Sequence, residues 1–383
     1  ITTNDYTVFG AAAMTPNGGM ALYLKSDKRW LPYDIIPPED VLTTGPEGLN
    51  GDDSALYFRD SRGRDTSALV QIDLKTGEKT TLAEDARCDL ADVLQHPTSK
   101  TIQGASFVYE RKAWQYFDPA VQADMEYLQG LAEGEVEITS RSDDDRWWIV
   151  AYVADDRPVT YSLFDREKRQ ATYLFSNRKD LENYTLAKMI PFVIKARDGL
   201  DLVGYYSLPP GSDSDGDNLP DQPLPMVFMP HGGPWGRDYW GLNPWHQWLA
   251  NRGYAVLCVN FRASTGFGKG FINAGNLQWG ESVVRDQTDA VQWAVQAGIA
   301  DPARIAVMGG SFGGYSTLAG LAFFPDLYTC GVDLFGPSNL ITLLSTIPPY
   351  WTPQIELFAT RVGDLRTEEG RSLLPRHSPL TYA

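Results

Sequence analysis

Residues 304–323 limit the possible folds most sharply. Arg304-Ile305-Ala306-Val307-Met308 reads as a buried strand, and Gly314 to Phe323 reads as a helix stopped by Pro325. The pentapeptide Gly309-Gly310-Ser311-Phe312-Gly313 joins them, so a strand passes into a helix through a G-x-S-x-G turn. Small residues on both sides let the backbone turn sharply, holding the Ser311 hydroxyl above the sheet. The next amide, that of Phe312, is then placed to donate to an oxyanion. The competing reading is a glycine-rich helix start with Ser311 as a simple cap.

The surroundings decide between these readings. Pro225-Met226-Val227-Phe228-Met229, Tyr254 to Asn260 and Cys330 to Leu334 are further apolar strands, with helical patterns between them. Ser282 can cap a helix in which Val284, Val291 and Val295 share a face, ending at Gly298. Near-continuous apolar strands alternating with helices predict a doubly wound, mostly parallel sheet. With the nucleophile turn this predicts an α/β-hydrolase fold over 191–383. His231-Gly232-Gly233-Pro234 follows an earlier strand, and the amide of Gly233 can complete an oxyanion hole. His231 is not the expected base, because in this fold the catalytic His follows the last strand.

Residues 1 to about 190 repeat instead. Asp52-Asp53-Ser54-Ala55-Leu56-Tyr57-Phe58 matches Asp144-Asp145-Arg146-Trp147-Trp148-Ile149-Val150 at an offset of 92. Ile72-Asp73 matches Phe164-Asp165 at the same offset, without a gap. Pro97 to Lys100, before Ala105-Ser106-Phe107-Val108-Tyr109, lies halfway, so the period is about 46, in the range of four-stranded propeller blades. On looser spacing, Asn17-Gly18-Gly19 before Met20 reads as the start of a further unit. The expectation for 1–190 is a partial β-propeller of three to four blades. A β-sandwich with coincidental turn spacing is the alternative.

At the junction, Phe192 to Lys195 and Leu202 to Tyr206 flank Asp198-Gly199, a hairpin pattern. Beyond it, Asp213, Asp215, Asp217 and Asp221 lie in a short loop whose alternate carboxylates can converge on calcium. A solvated acidic hairpin loop is the other reading. No catalytic cofactor is called for.

A length of 383 residues predicts at least two domains. The net charge of −16 disfavours nucleic acid and anionic membrane surfaces as partners. No apolar run reaches the length of a membrane span. Three cysteines make no disulfide framework: Cys258 and Cys330 read as buried thiols and Cys88 as exposed. A soluble protein of cytoplasm or periplasm is expected, the compartment being undetermined.

These residues resemble the prolyl oligopeptidase family of serine peptidases, in its acylaminoacyl-peptidase and dipeptidyl-peptidase branches. The resemblance rests on His231-Gly232-Gly233-Pro234, Arg252 to Val256, Asn260 to Gly268, Trp279-Gly280, Asp301 to Arg304, Gly309 to Tyr315 and Ser378-Pro379-Leu380. It implies a propeller screening a buried site, short peptides as substrates, Ser311 as nucleophile, and the amides of Phe312 and Gly233 as oxyanion donors. It also implies that the triad Asp and His follow Ser-Pro-Leu, so that the 383 residues are an internal segment needing the remainder of their own chain. His377, the one His after Ser311, is then a surface turn residue. Phe335, Ile347, Tyr350 and Trp351 form a plausible apolar substrate pocket, although core packing explains them equally well. Two other readings stay open: a carboxylesterase on the same core, and a non-catalytic propeller binding protein.

Overall fold

The computed structural model describes all of residues 1–383. Four small antiparallel sheets come first. β1 (Gly10–Met14), β2 (Met20–Ser26) and β3 (Arg29–Ile36) form the first. β4 (Gly45–Leu49), β5 (Ala55–Asp60), β6 (Ala68–Asp73) and β7 (Lys79–Ala83) form the second. β8 (Leu90–Gln95), β9 (Ile102–Val108) and β10 (Lys112–Tyr116) form the third, followed by helix α1 (Pro119–Gln129). β11 (Glu135–Arg141), β12 (Trp147–Val153), β13 (Thr160–Asp165) and β14 (Gln170–Ser176) form the fourth. Each sheet is a meander in sequence order, the construction of a propeller blade.

The repeat has a local cause. Asp53 and Asp145, 92 positions apart, both lie at positive φ (57° and 55°) in the turn before the second strand of their sheets. Aspartate tolerates that conformation better than most residues. In the third sheet the chain enters α1 where its neighbours have a fourth strand. Asp118 caps this helix by accepting from Ala120 N at 2.9 Å, and Pro119 opens it. Its buried Val121, Met125 and Leu128 pack with Trp148 and Phe164.

The rest of the chain builds a six-stranded sheet. Its elements are β15 (Met189–Lys195), β16 (Asp201–Ser207), β17 (Leu224–Phe228), α2 (Pro244–Ala250), β18 (Ala255–Val259), α3 (Lys269–Asn273), α4 (Val284–Gln296), β19 (Ala300–Gly310), α5 (Phe312–Phe323) and β20 (Cys330–Leu334). The strand order is β15-β16-β18-β17-β19-β20. β15, β16 and β18 pair antiparallel, and the pairs from β18 to β20 are parallel. α4 buries Ala290, Val291 and Ala294 against Leu257, Val259, Ile305 and Val307 on one face. α2 covers the other, where Leu249 meets Val227, Val256 and Met308. This is a doubly wound α/β-hydrolase sheet, with α6 (Leu340–Ser345), α7 (Ile355–Arg361) and α8 (Glu368–Arg376) following it.

Three expectations are corrected. Ser282 caps nothing: it sits in a turn of π-helix over Trp279–Val283, and its hydroxyl donates to Gln278 Oε1 at 3.1 Å. Cys88 is buried, packed with Tyr57, Leu69 and Leu90, and burial with the neighbouring Asp85 carboxylate pushes its thiol up to about 12. Cys330 is exposed, because β20 is the edge strand and has a neighbour on one side only.

Candidate active site

β19 ends at Gly310 and α5 begins at Phe312, so Ser311 is the whole of the connection. Its backbone is at φ 56°, ψ −120°, a strained conformation costing on the order of 1–3 kcal/mol. The hydrogen bond from Ser311 N to Leu334 O (3.0 Å) helps hold it there. The turn lies tight against the end of β17: a Cβ on Gly313 would stand 2.2 Å from Pro230 O. A Cβ on Gly232 would stand 3.7 Å from Ser311 Cβ, so the two glycine loops are in contact. The Ser311 side chain is exposed and opens on a cavity of about 420 Å3.

Two amides beside it are unused. Neither Phe312 N–H nor Gly233 N–H donates to any acceptor of the chain. Phe312 N–H lies at the start of α5, where the helix dipole favours negative charge. Gly233 is at φ 131°, a conformation that L side chains rarely adopt. Packing fixes both segments. The Phe312 ring is buried between Trp279 (centroids 4.6 Å), Tyr315 (5.3 Å) and Phe261 (5.7 Å). Trp235, two residues after Gly233, packs on Phe358 (5.6 Å) and Trp279 (6.4 Å). An exposed hydroxyl beside two free amides is the arrangement required to attack a carbonyl carbon and receive its oxygen as an anion.

No histidine bonds to Ser311. The ring of His231 stacks on Phe261 at 4.3 Å, and its nitrogens lie 2.9 Å from Ser264 Oγ and 2.8 Å from Gly232 O. His246 is buried beside Ser207 Oγ (3.1 Å), and burial pushes it down to about 4. His377 is not the surface turn residue expected. It is buried at the end of α8, in the space left by the missing side chain of Gly280, and both ring nitrogens lack a partner. Burial lowers its pKa.

Of the four expected pocket residues, only Phe335 lines the cavity of Ser311, its ring 82% exposed. Ile347 packs into the core with Leu340 and Phe358. Tyr350 and Trp351 lie on the 3-10 segment Pro349–Gln354, with Trp351 stacked on Phe358 at 5.9 Å. In the acidic loop, Asp213, Asp215 and Asp217 bring carboxylate oxygens within 4.8 Å of one another. Each also accepts from a backbone N–H of the loop itself. Asp221 does not join them, its carboxylate being bonded to Ser214 N and Oγ.

Residues that the sequence reading passed over support the site from behind. Arg262, at the end of β18, makes a buried bidentate pair with Asp286 (2.8 and 2.7 Å) and reaches Asp198. Arg237, in the loop after Gly233, crosses to the third blade-like sheet.

The sequence model of the prolyl oligopeptidase family matches residues 240–368. Dipeptidyl aminopeptidase BIII of Pseudoxanthomonas mexicana is 48% identical over 380 residues, covering 99% of this chain and 55% of that protein. Dipeptidyl peptidase family member 6 of Caenorhabditis elegans is 37% identical over 406 residues, again covering 99% and 55%. The chain thus spans 55% of the length of these two curated relatives. Among solved structures, a Mycobacterium tuberculosis puromycin-hydrolyzing peptidase superposes with a TM-score of 0.72 at 20% identity, over 98% of this chain and 59% of that one. No helix is long and apolar enough to cross a membrane. Over residues 240–368 in sequence, and in a fold of propeller blades followed by a hydrolase sheet, the chain is similar to the prolyl oligopeptidase family.

Proposed function

We propose that the protein carrying this chain is a serine peptidase acting on short peptides, with propeller and catalytic units dividing near residue 190. The observation that carries the reading is the exposed, strained Ser311 beside the unbonded amides of Phe312 and Gly233. Ser311 Oγ bonds to the peptide carbonyl carbon as a base takes its proton, and the two amides hold the oxyanion. The C–N bond then breaks, the same proton passes to the leaving amine, and water releases the acyl group. No histidine here reaches Ser311, so the base and its orienting Asp are assigned to sequence outside these 383 residues. The 55% coverage of the relatives is consistent with that assignment. The names of those relatives favour release of N-terminal dipeptides over release of acyl-amino acids.

The proposed chemistry uses a hydroxyl, two backbone amides and a base, and calls for no cofactor. Calcium on Asp213, Asp215 and Asp217 would be structural, and calorimetric titration tests it: saturable heat supports the site, and no heat at millimolar calcium retires it.

The deciding experiment for the function is fluorophosphonate labelling followed by kinetics. Labelling at Ser311, lost in Ser311→Ala, with faster hydrolysis of a dipeptidyl amide than of an acyl-aminoacyl amide, supports the reading. Turnover of p-nitrophenyl esters alone would make the protein an esterase. An unlabelled Ser311 would leave a binding protein.

A further inference from the structure

The loop that carries Gly233 is gripped from both sides. On the hydrolase side Trp235 is packed as described. Asn260 Oδ1 accepts from Asp238 N at 2.7 Å, and Thr265 N donates to Gly236 O at 2.9 Å. On the other side the Arg237 guanidinium leaves the hydrolase and donates to Val108 O (2.7 Å) and Tyr109 O (2.8 Å). These carbonyls lie at the end of β9 and the start of its turn into β10. The next one, Glu110 O, accepts from the hydroxyl of Tyr205 on β16 (2.7 Å). Three consecutive carbonyls of one propeller turn are therefore held by hydrolase side chains. The guanidinium lies over the rings of Phe267 (4.2 Å) and Tyr239 (4.7 Å), which restricts it to this path. Gly266 leaves room for it, since a Cβ there would stand 2.7 Å from Arg237 Nη1.

We propose that Arg237 is a positioning residue: by clamping its loop to the β9–β10 turn it sets the place of the Gly233 amide. The proposal rests on the reading of Gly233 as an oxyanion donor. An oxyanion donor works only within a few tenths of an ångström of its place, and a 1 Å displacement costs up to about 100-fold in rate. Arg237 is four residues from Gly233, with a rigid proline and a wedged Trp between them, so a shift at one end moves the other. The propeller then contributes to catalytic geometry as well as to access. Tyr205 holds the same turn from β16, through Glu110 O alone, so its loss leaves both bonds from Arg237 to Val108 O and Tyr109 O in place.

The test compares Arg237→Met, Arg237→Lys and Tyr205→Phe in the full-length protein. Arg237→Met lowers kcat for a peptide amide roughly 10- to 100-fold with KM changed less than about threefold. Arg237→Lys, which reaches one carbonyl at a time, recovers part of the loss. Tyr205→Phe stays within about twofold of the parent kcat. Amide hydrogen exchange over 231–238 accelerates in Arg237→Met and not in Tyr205→Phe. An unchanged kcat in Arg237→Met, or an equal loss in Tyr205→Phe, overturns the proposal. If the parent protein gives no fluorophosphonate adduct at Ser311, the peptidase reading fails. Exchange then decides alone: faster exchange upholds the clamp, and unchanged protection overturns it.

Discussion

Gly233→Ala tests the oxyanion assignment through geometry. At φ 131° the added methyl would lie 2.6 Å from Trp235 N and 3.1 Å from Gly236 N, both backbone atoms. Neither can move without dragging Trp235 out of its contacts with Phe358 and Trp279. The residue must therefore either remain strained, at about 1–3 kcal/mol, or rotate φ and turn its amide away. Rotation removes one oxyanion donor, which costs about 10²–10³ in kcat, or roughly 2.7–4 kcal/mol of transition-state stabilisation. KM should move little, because the donor meets negative charge only in the transition state. If the strain is retained, Tm should fall by roughly 2–12 °C, at about 2–4 °C per kcal/mol for a domain of this size. The assay is steady-state hydrolysis of a dipeptidyl amide, with thermal unfolding alongside and Ser311→Ala as the inactive reference. A kcat within about threefold of the parent, when Ser311→Ala is dead, would refute Gly233 as a donor.

Three further outcomes follow from buried groups. Arg262→Met leaves the Asp286 carboxylate, itself 0% exposed, without its bidentate partner, and should cost about 3–5 kcal/mol in urea unfolding. Adding Asp286→Leu should restore most of it, and a single variant as stable as the parent refutes the pair's role. Iodoacetamide on the folded protein should spare Cys88 and Cys258, with both reacting in denaturant; a folded chain labelled at Cys88 would contradict its burial. His246, pushed down to about 4 by burial, refuses a proton that the unfolded chain accepts near pH 6.5. Stability is full above pH 6.5 and falls by about 3 kcal/mol as the pH drops toward 4, and His246→Phe should flatten that slope.

What the sequence revealed is local. The strand-turn-helix at Ser311 is legible because strand, glycines, Ser311 and helix are contiguous, and backbone strain at one residue needs small neighbours. The blade repeat is legible because the same turn recurs, down to Asp53 and Asp145 at matching positive φ. Helix α1 was missed because its period of Val121, Met125 and Leu128 is short and stands in a run of strands. Cys88 and Cys330 were inverted because burial is decided by neighbours in space. A polar stretch is covered by the second and third sheets, while an apolar strand falls at a sheet edge. His377 looked like a turn residue beside Ser378-Pro379, yet Gly280, 97 positions earlier, makes the space that buries it. Composition does not separate Phe335 from Ile347, Tyr350 and Trp351, since an apolar side chain suits a core and a pocket wall alike, and only the fold places Phe335 at the Ser311 cavity.

The support behind the site is illegible for a different reason. The proposed chemistry uses backbone amides, and the sequence shows the Gly233 amide only as a permissive glycine. Arg237, proposed to position the Gly233 amide, acts on backbone as well, and Tyr205 bonds to the same turn. Arg237 and Tyr205 bond to carbonyls of Val108, Tyr109 and Glu110, which any residues at those positions would offer. A bond between a side chain and a remote carbonyl needs no complementary residue type, so it leaves no paired charge, repeat or spacing to read. It leaves only space. Gly266 stands beside Arg237 as Gly313 stands beside Pro230 O, each vacating the volume through which another segment passes. Glycine at such positions marks where two parts of the chain must touch. Only the folded chain shows that one contact seats the Ser311 turn and the other ties the Gly233 loop to the third blade-like sheet.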